Sequence, residues 1–346
     1  MGEFSIWIFV FMAACVLLEM AYSKWSGRKL YQAGETFVNI ACGILERLLD
    51  LLIFVLLFGV FRWIHGSGYT LFDLPHPLQA WMYLPLLPAT DFCWYWYHRC
   101  SHRINLLWGL HIVHHQSEDY NLSIFFRATG LQSLVRIFFW LPLPLIGFAP
   151  LDCLAGIGFL AVYQFLMHTQ VPGRFRLLEP WIATPSHHRV HHAANAHYID
   201  KNYAGLFTFY DRLFGSYALE EEAPRYGITN TFRRTNLWSV YFDYFQDLWT
   251  VLRQARTGQS WRTLLFGPPE KMPSDAKISH VALLRSDGVH LWIITATLLV
   301  NAALLFVVLT GVSTNGWVRF SLIGFMVGSI LLTGRYLEKE PDRPKK

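Results

Sequence analysis

The stretch HRCSHRINLLWGLHIVHH, residues 98–115, decides how this chain is read, together with SHHRVHH at residues 186–192. Between His98 and His192 the histidines fall into groups: His98 and His102; His111, His114 and His115; His168 by itself; then His187, His188, His191 and His192. Residues three and four apart share a helix face. His98 and His102 are spaced i, i+4, and His111, His114 and His115 are spaced i, i+3, i+4. His188, His191 and His192 repeat the second pattern, while His187 pairs with His191. Each group therefore aims its rings at one point, and neutral imidazole is a good ligand for iron, zinc or copper. With His168 added, nine or ten donors are present, too many for one metal ion and enough for two. The groups include no thiol, which argues against a structural zinc site.

Working outward, long apolar runs flank these groups. Of 346 residues, 53% are hydrophobic and 15% charged, against about 25% charged in a soluble domain. Mean hydropathy is +0.28. The expected architecture is an all-α integral membrane protein, a multi-span helical bundle with a cytosolic histidine-rich helical cap. Spans are expected over Phe4–Tyr22, within Phe37–Trp63 and over Leu78–Tyr97, which runs into the first histidine pair. Glu46, Arg47 and Asp50 place the first turns of the second span outside the bilayer or facing the protein interior. Pro142, Pro144 and Pro150 break the apolar stretch 134–167 into a re-entrant helical pair. Two last spans are expected over Val289–Leu309 and Trp317–Leu332. The chain thus divides into N-terminal spans (1–97), a histidine-rich di-metal catalytic region (98–280) and C-terminal spans (289–332). No basic region precedes the first span, which reads as a retained anchor.

The net charge of +5 is carried by loops and tail and calls for no nucleic acid. With the N-terminus outside, the basic segments Ser23–Glu35, 98–132 and 174–285 and the tail Arg335–Lys346 all fall on one face, which the positive-inside rule makes cytoplasmic. Every grouped histidine falls on that face too. The 14 Trp and 16 Tyr suit headgroup-level helix ends. The five cysteines are scattered and read as packing residues. His65, His76, His197, His280 and His290 read as surface residues. There is no H-E-x-x-H peptidase motif. Nor do isolated axial histidines lie within facing spans, as a b-type haem would need. Asp91, Tyr95, His98 and His102 line one helix stripe at i, i+4, i+7 and i+11. Asp91 either accepts the outer N–H of a ligand histidine, fixing its tautomer, or satisfies a buried polar contact.

At these residues the sequence resembles the fatty acid hydroxylase/sterol desaturase superfamily. The matching elements are DFCWYWYHRCSH (Asp91–His102), LWGLHIVHH (Leu107–His115) and SHHRVHH (Ser186–His192). HHQSEDYNLS (His114–Ser123), TPSHHRVHH (Thr184–His192), YIDKNYAG (Tyr198–Gly205) and YDRLFGSY (Tyr210–Tyr217) are most similar to the alkylglycerol monooxygenase group and its bacterial relatives. The resemblance implies two metal ions, most often iron, and oxidation of an unactivated lipid C–H bond with dioxygen and two electrons. The ligands it carries over are His98, His102, His111, His114, His115, His168, His188, His191 and His192, with His187 as a tenth. Glu118, Asp119 and Asn121 then orient ligands or substrate, or form a surface loop. Asp200, Lys201 and Asn202 hold the cap against the third group. Two positions depart from the pattern. Arg103 stands where the alkylglycerol enzymes carry an acid, and Gln164 where other relatives carry a histidine.

Electrons must come from outside, because the chain has no haem module, no Gly-rich flavin or nicotinamide pattern and no four-cysteine cluster. The alkylglycerol resemblance implies tetrahydrobiopterin as reductant; otherwise a ferredoxin or cytochrome serves as electron-donor protein. A desaturase or sterol methyl oxidase would use the same ligands. A metal-binding or transport protein, the reading of a different class, would place its ligands at the bilayer midplane, whereas these lie at helix ends.

Overall fold

A computed structural model describes residues 2–228, 236–254, 261–269, 288–310 and 315–337. His280 and the tail beyond residue 337 lie outside the described residues, as do the side chains of residues 2–6, 51 and 288–290. Among the described residues the structure is helical, with no strand, and an isolated antiparallel bridge joins Ile182 and Phe207. Thirteen α-helices are described: α1 (Gly2–Trp25), α2 (Ala33–Gly66), α3 (Tyr83–Arg103), α4 (Asn105–His115), α5 (Gly130–Trp140), α6 (Pro142–Ile146), α7 (Pro150–Met167), α8 (Pro185–His191), α9 (Phe209–Leu213), α10 (Leu237–Gln254), α11 (Trp261–Phe266), α12 (Gly288–Thr310) and α13 (Gly316–Leu337).

Four of these are long and apolar enough to cross a membrane: Trp7–Trp25, Pro150–Met167, Leu291–Thr310 and Gly316–Leu337. The first and the last two match expected spans. The helix expected over Leu78–Tyr97 instead runs from Tyr83 through both histidines to Arg103, and it is not among the four. Its buried stripe of Thr90, Asp91, His98, Ser101 and His102 makes it a polar-cored helix. The proline-broken stretch gives three helices. Pro142 and Pro150 each start one, at the position where a missing N–H costs nothing. Of these, α7 alone is long enough to span. In α2 the apolar part long enough to count is Leu52–Gly66, shorter than a full span.

The described chain divides into two compact units. The first comprises residues 1–48, 104–129 and 226–346. Its apolar core joins Phe37, Val38, Ala41 and Cys42 of α2 to Ile112 and Val113 of α4, Val240 and Tyr244 of α10, and Met326 and Ile330 of α13. Helices α12 and α13 pack as a pair with polar contacts inside. Asn301 is fully buried and donates to Ser329 Oγ at 2.9 Å, and the Thr297 and Thr333 hydroxyls lie 3.1 Å apart. Such bonds stabilise helix pairs in hydrocarbon.

The second interaction of weight in this unit is a buried charge. Arg127 is wholly buried and donates to Glu35 Oε2 at 2.9 Å, to Val113 O at 2.9 Å and to Asn39 Oδ1 at 3.2 Å. Ser117 Oγ also donates to Glu35, at 3.1 Å. The ion pair therefore ties the start of α2 to the end of α4, where three of the grouped histidines sit. Glu19 in α1, also buried, accepts from the backbone N–H of Leu122 at 2.8 Å and from the Tyr31 hydroxyl at 2.5 Å.

The second unit comprises residues 49–103 and 130–225. Helix α3 is its axis, packed by α5, α6 and α7, with α8 against α7. Its core joins Phe61, Leu86, Cys93, Trp140, Leu143, Cys153, Leu160 and Leu206. A second cluster sets Tyr95 against Tyr203 and Tyr210.

Breaking a buried ion pair by removing one partner strands the other charge, at a cost of about 3–5 kcal/mol. Glu35→Ala or Arg127→Ala is expected to lower unfolding stability in detergent by that order. Glu35→Leu combined with Arg127→Met should cost less than either single change, which denaturation followed by circular dichroism would measure.

Candidate metal centre

The second unit carries seven of the ten grouped histidines, and six of them form two sets of three. His98 and His102 from α3 meet His191 from α8, with ring centroids 5.3, 4.2 and 4.8 Å apart. One ring nitrogen of each lies within 4.8 Å of the others. His168, at the end of α7, meets His188 and His192, with centroids 4.2, 5.2 and 4.7 Å apart. Their nitrogens converge as well: His188 Nε2 is 2.9 Å from His168 Nε2 and 3.2 Å from His192 Nε2. All six rings are buried. The i, i+3, i+4 spacing thus takes a particular form in α8, where His191 serves one set while His188 and His192 serve the other.

The outer nitrogens decide the tautomers. His98 Nδ1 lies 2.9 Å from Tyr203 O, His168 Nδ1 2.7 Å from Gln164 O, and His191 Nδ1 2.8 Å from Lys201 O. A carbonyl oxygen only accepts, so each Nδ1 carries the proton and each Nε2 keeps its lone pair. Burial pushes His168 down to about 3 and His191 to about 4, from an ordinary value of 6.5. Both are therefore neutral at neutral pH. With the His168 Nε2 lone pair 2.9 Å from a second imidazole nitrogen, a shared proton or a cation is needed between them. The residues present fit a bound transition metal on ligand type, charge state and tautomer.

Two of those carbonyls belong to one loop, residues 201–207, and two aspartates hold that loop. Asp91 accepts the N–H groups of Gly205 (2.7 Å), Leu206 (3.0 Å) and Phe207 (2.6 Å). Asp211 accepts those of Tyr203 (2.8 Å) and Ala204 (3.0 Å) and the Ser216 hydroxyl (2.8 Å). Burial raises the Asp211 carboxyl to about 6. Position 205 has no room for a side chain: a Cβ would meet Asp91 Oδ1 at 2.8 Å and Trp94 at 2.8 Å. Asp200 and Asn202 take left-handed conformations, φ 62° and 56°, which Asp and Asn tolerate better than most residues. Gln164 joins the same scaffold, its backbone oxygen accepting from His168 and its side chain donating to Gly205 O.

Helix α8 is placed by its own sequence. Thr184 caps it and Pro185 starts it. Arg189, buried, pairs with Glu220 at 2.6 and 2.8 Å and donates to Thr169 O and Pro172 O. It thereby fastens α8 to the chain that follows His168. His187 lies outside both sets. Its Nδ1 accepts from the Thr184 N–H at 3.2 Å, and its Nε2 lies 3.3 Å from the Tyr217 hydroxyl. Burial pushes it down to about 4, so it is neutral with its lone pair used at Nδ1.

The first unit holds the other three histidines on the last turns of α4. His111 and His115 Nε2 atoms lie 3.3 Å apart, and His114 Nδ1 lies 3.3 Å from Arg127 O. The residues that follow them serve as tethers. Asn121 donates to Leu30 O at 2.7 Å and caps the next turn through Ser123. Asp119 accepts twice from Gln32, at 2.8 and 2.9 Å. Glu118 is half-buried, near Gly227. Asp200 pairs with Arg103, the departure noted above, and its carboxylate lies 3.8 Å from His102 Nδ1. Sequence reasoning missed Asp211, although it lies in the quoted stretch YDRLFGSY (Tyr210–Tyr217). A lone acid among aromatic residues was the available signal.

Residues 83–216 match the fatty acid hydroxylase family. The chain carries a fatty acid hydroxylase domain. That domain takes in α3, α7, α8 and both histidine sets of the second unit, as well as α4. Human alkylglycerol monooxygenase is 36% identical over 246 residues, 70% of this chain and 54% of the human protein. The Danio rerio alkylglycerol monooxygenase is 32% identical, over 77% of this chain and 59% of its own length. A Delta(7)-sterol 5(6)-desaturase of Aspergillus fumigatus is 33% identical over 152 residues, 41% of each chain. The chain spans somewhat more than half the length of these alkylglycerol monooxygenases. No solved structure matches it.

Two outcomes follow for the hydroxylase domain. Asp91→Asn replaces a shared acceptor by an amide that must also find an acceptor, so the 205–207 backbone loses partners. Metal bound per chain, read by elemental analysis, is expected to fall although no grouped histidine has changed. In metal-free protein, His168 and His191 are neutral when folded and take up protons near pH 6.5 when unfolded. Their stabilising effect is complete above pH 6.5 and declines as pH falls toward their folded values of about 3 and 4. Thermal midpoints of chelator-treated protein should fall across that window.

Proposed function

We propose that this protein is a membrane-bound oxygenase that uses dioxygen and two electrons to hydroxylate a C–H bond of a lipid. The observation that carries the reading is the pair of buried three-imidazole sets in the hydroxylase domain, with proton positions at His98, His168 and His191 that leave Nε2 open to a cation. His98, His102 and His191 would hold one iron ion, and His168, His188 and His192 a second. His111, His114 and His115 complete the proposed ligand set, on the strength of their spacing and of the sequence resemblance. His187 is left out because its Nδ1 caps α8. When bound, two ferrous ions supply the two-electron activation of dioxygen that an unactivated C–H bond requires.

The chain's own residues do the remaining work. Lys201 O, Tyr203 O and Gln164 O hold protons on the outer nitrogens and orient the rings. Asp91 acts at one remove, through the backbone it holds, as a positioning residue. Asn121 and Glu118 take a positioning role in the segment after α4. Burial of the rings keeps bulk water from the ligand atoms. The four apolar helices make this a membrane protein, so a lipid chain reaches the domain from the bilayer. The distribution of Lys and Arg favours the cytoplasmic face for the histidines. Reducing equivalents come from an external donor, tetrahydrobiopterin on the alkylglycerol resemblance or an electron-donor protein. The match to a sterol desaturase favours a second reading, dehydrogenation of a sterol at the same ligands.

The test is purified iron-loaded protein given alkylglycerol, fatty acyl and sterol substrates with dioxygen and tetrahydrobiopterin, products being identified by mass. Added oxygen in the product supports hydroxylation, and loss of two hydrogens supports the desaturase reading. His191→Ala and His111→Ala are each expected to lose bound iron and product, while His187→Ala keeps its iron. Full iron and product in both of the first two variants would sink the proposed centre.

A further inference from the structure

The segment between ligand candidates His168 and His188 has a surface that the site does not use. Residues 175–182 form tight turns, with Leu178 and Glu179 N–H donating to Phe175 O and Trp181 and Ile182 N–H to Leu178 O. These turns place Phe175, Leu177, Leu178 and Trp181 on the outside, Leu177 90% and Trp181 73% exposed. The turns are latched to α9. Thr208 N–H donates to Trp181 O and its hydroxyl to Pro180 O, and Ala183 N–H donates to Leu206 O. Helix α9 adds exposed Phe209 and Leu213 to the same part of the unit. Six large apolar side chains on an ordered, hydrogen-bonded scaffold are more than scattered surface residues.

Charge decides what covers them. The segment has one acid, Glu179, and it is buried, bound by Arg174 at 2.6 Å and by the Ser186 hydroxyl at 2.8 Å. The cations Arg176 and Arg212 are exposed. The outward face therefore combines Leu, Phe and Trp with basic groups and has no exposed acid between residues 171 and 181. This is the composition of an element lying in the headgroup layer of an anionic bilayer. It also follows directly on α7, a candidate span whose Phe159 and Leu166 are exposed. We propose that the turns 175–181, with α9, insert into the bilayer surface as an interfacial anchor. The anchor lies between His168 and α8 in the chain and sets the second histidine set at the membrane interface. This inference stands on the exposed surface and does not depend on the reaction.

The test uses the full chain in bilayers of phosphatidylcholine and phosphatidylglycerol. Single cysteines at Leu177→Cys, Phe159→Cys and Glu221→Cys carry a nitroxide, and the signal of the similarly labelled unsubstituted protein is subtracted. Collision with oxygen reports lipid, and collision with a water-soluble nickel chelate reports solvent. Glu221 is exposed in a chain segment rich in acids and serves as the aqueous reference, with Phe159 as the lipid reference. Position 177 is expected to favour oxygen over nickel, on the Phe159 side of the comparison. A response like that of position 221 overturns the anchor. Shielding from both reagents also overturns it, since that result places a protein surface, such as a second copy, over the turns.

Discussion

An imidazole binds a cation only through a nitrogen that carries no proton, so each outer nitrogen must hold its proton against a fixed acceptor. In this protein three backbone carbonyls, those of Gln164, Lys201 and Tyr203, perform that task for His168, His191 and His98. A carbonyl is never charged and never donates, so the tautomer it imposes does not change with pH. The remaining construction of the second unit serves to keep these carbonyls in place. Two buried carboxylates, Asp91 and Asp211, satisfy the backbone N–H groups of the loop, and Gly205 lets α3 approach it closely. Arg189 and Glu220 then lock α8 to the chain after His168.

The first unit solves a comparable problem with a charge. Arg127 is wholly buried, with its guanidinium Nη1 donating to Glu35 and Asn39 and its Nε to the carbonyl of Val113. A buried pair of this kind is costly to desolvate and yields little net stability against an apolar replacement. What it supplies is direction, since it can form only when the end of α4 meets the start of α2 in one register. The backbone carbonyl of the same Arg127 lies 3.3 Å from His114 Nδ1.

Much of the candidate site was legible because histidine spacing is a local property. The i, i+4 and i, i+3, i+4 intervals put the rings on single helix turns whatever surrounds them, and the apolar runs of α1, α12 and α13 follow from composition in the same way. Less legible was the character of α3, where an apolar run expected to span over Leu78–Tyr97 is a helix starting at Tyr83 with a buried polar stripe. A polar face buried against protein looks the same in sequence as a polar helix end at the membrane surface. Asp91 was legible as a residue with a partner, though not as one that holds backbone N–H groups. Asp211 gave almost no signal, because its partners are backbone groups seven and eight residues away.

The sequence by itself determined the donor type, the grouping into helix turns and the membrane setting, since these depend on residue identity and short-range periodicity. Only the tertiary structure decided how the groups divide. The seven grouped imidazoles of the second unit come from α3, the end of α7 and α8, and which ones converge depends on how those helices pack. It also decided that His187 caps α8 while His188 faces His168, a choice between adjacent residues. Adjacent residues on a helix point about 100° apart. The rotation of α8 about its axis therefore made that choice, and it was set by Thr184, Pro185 and the buried Arg189.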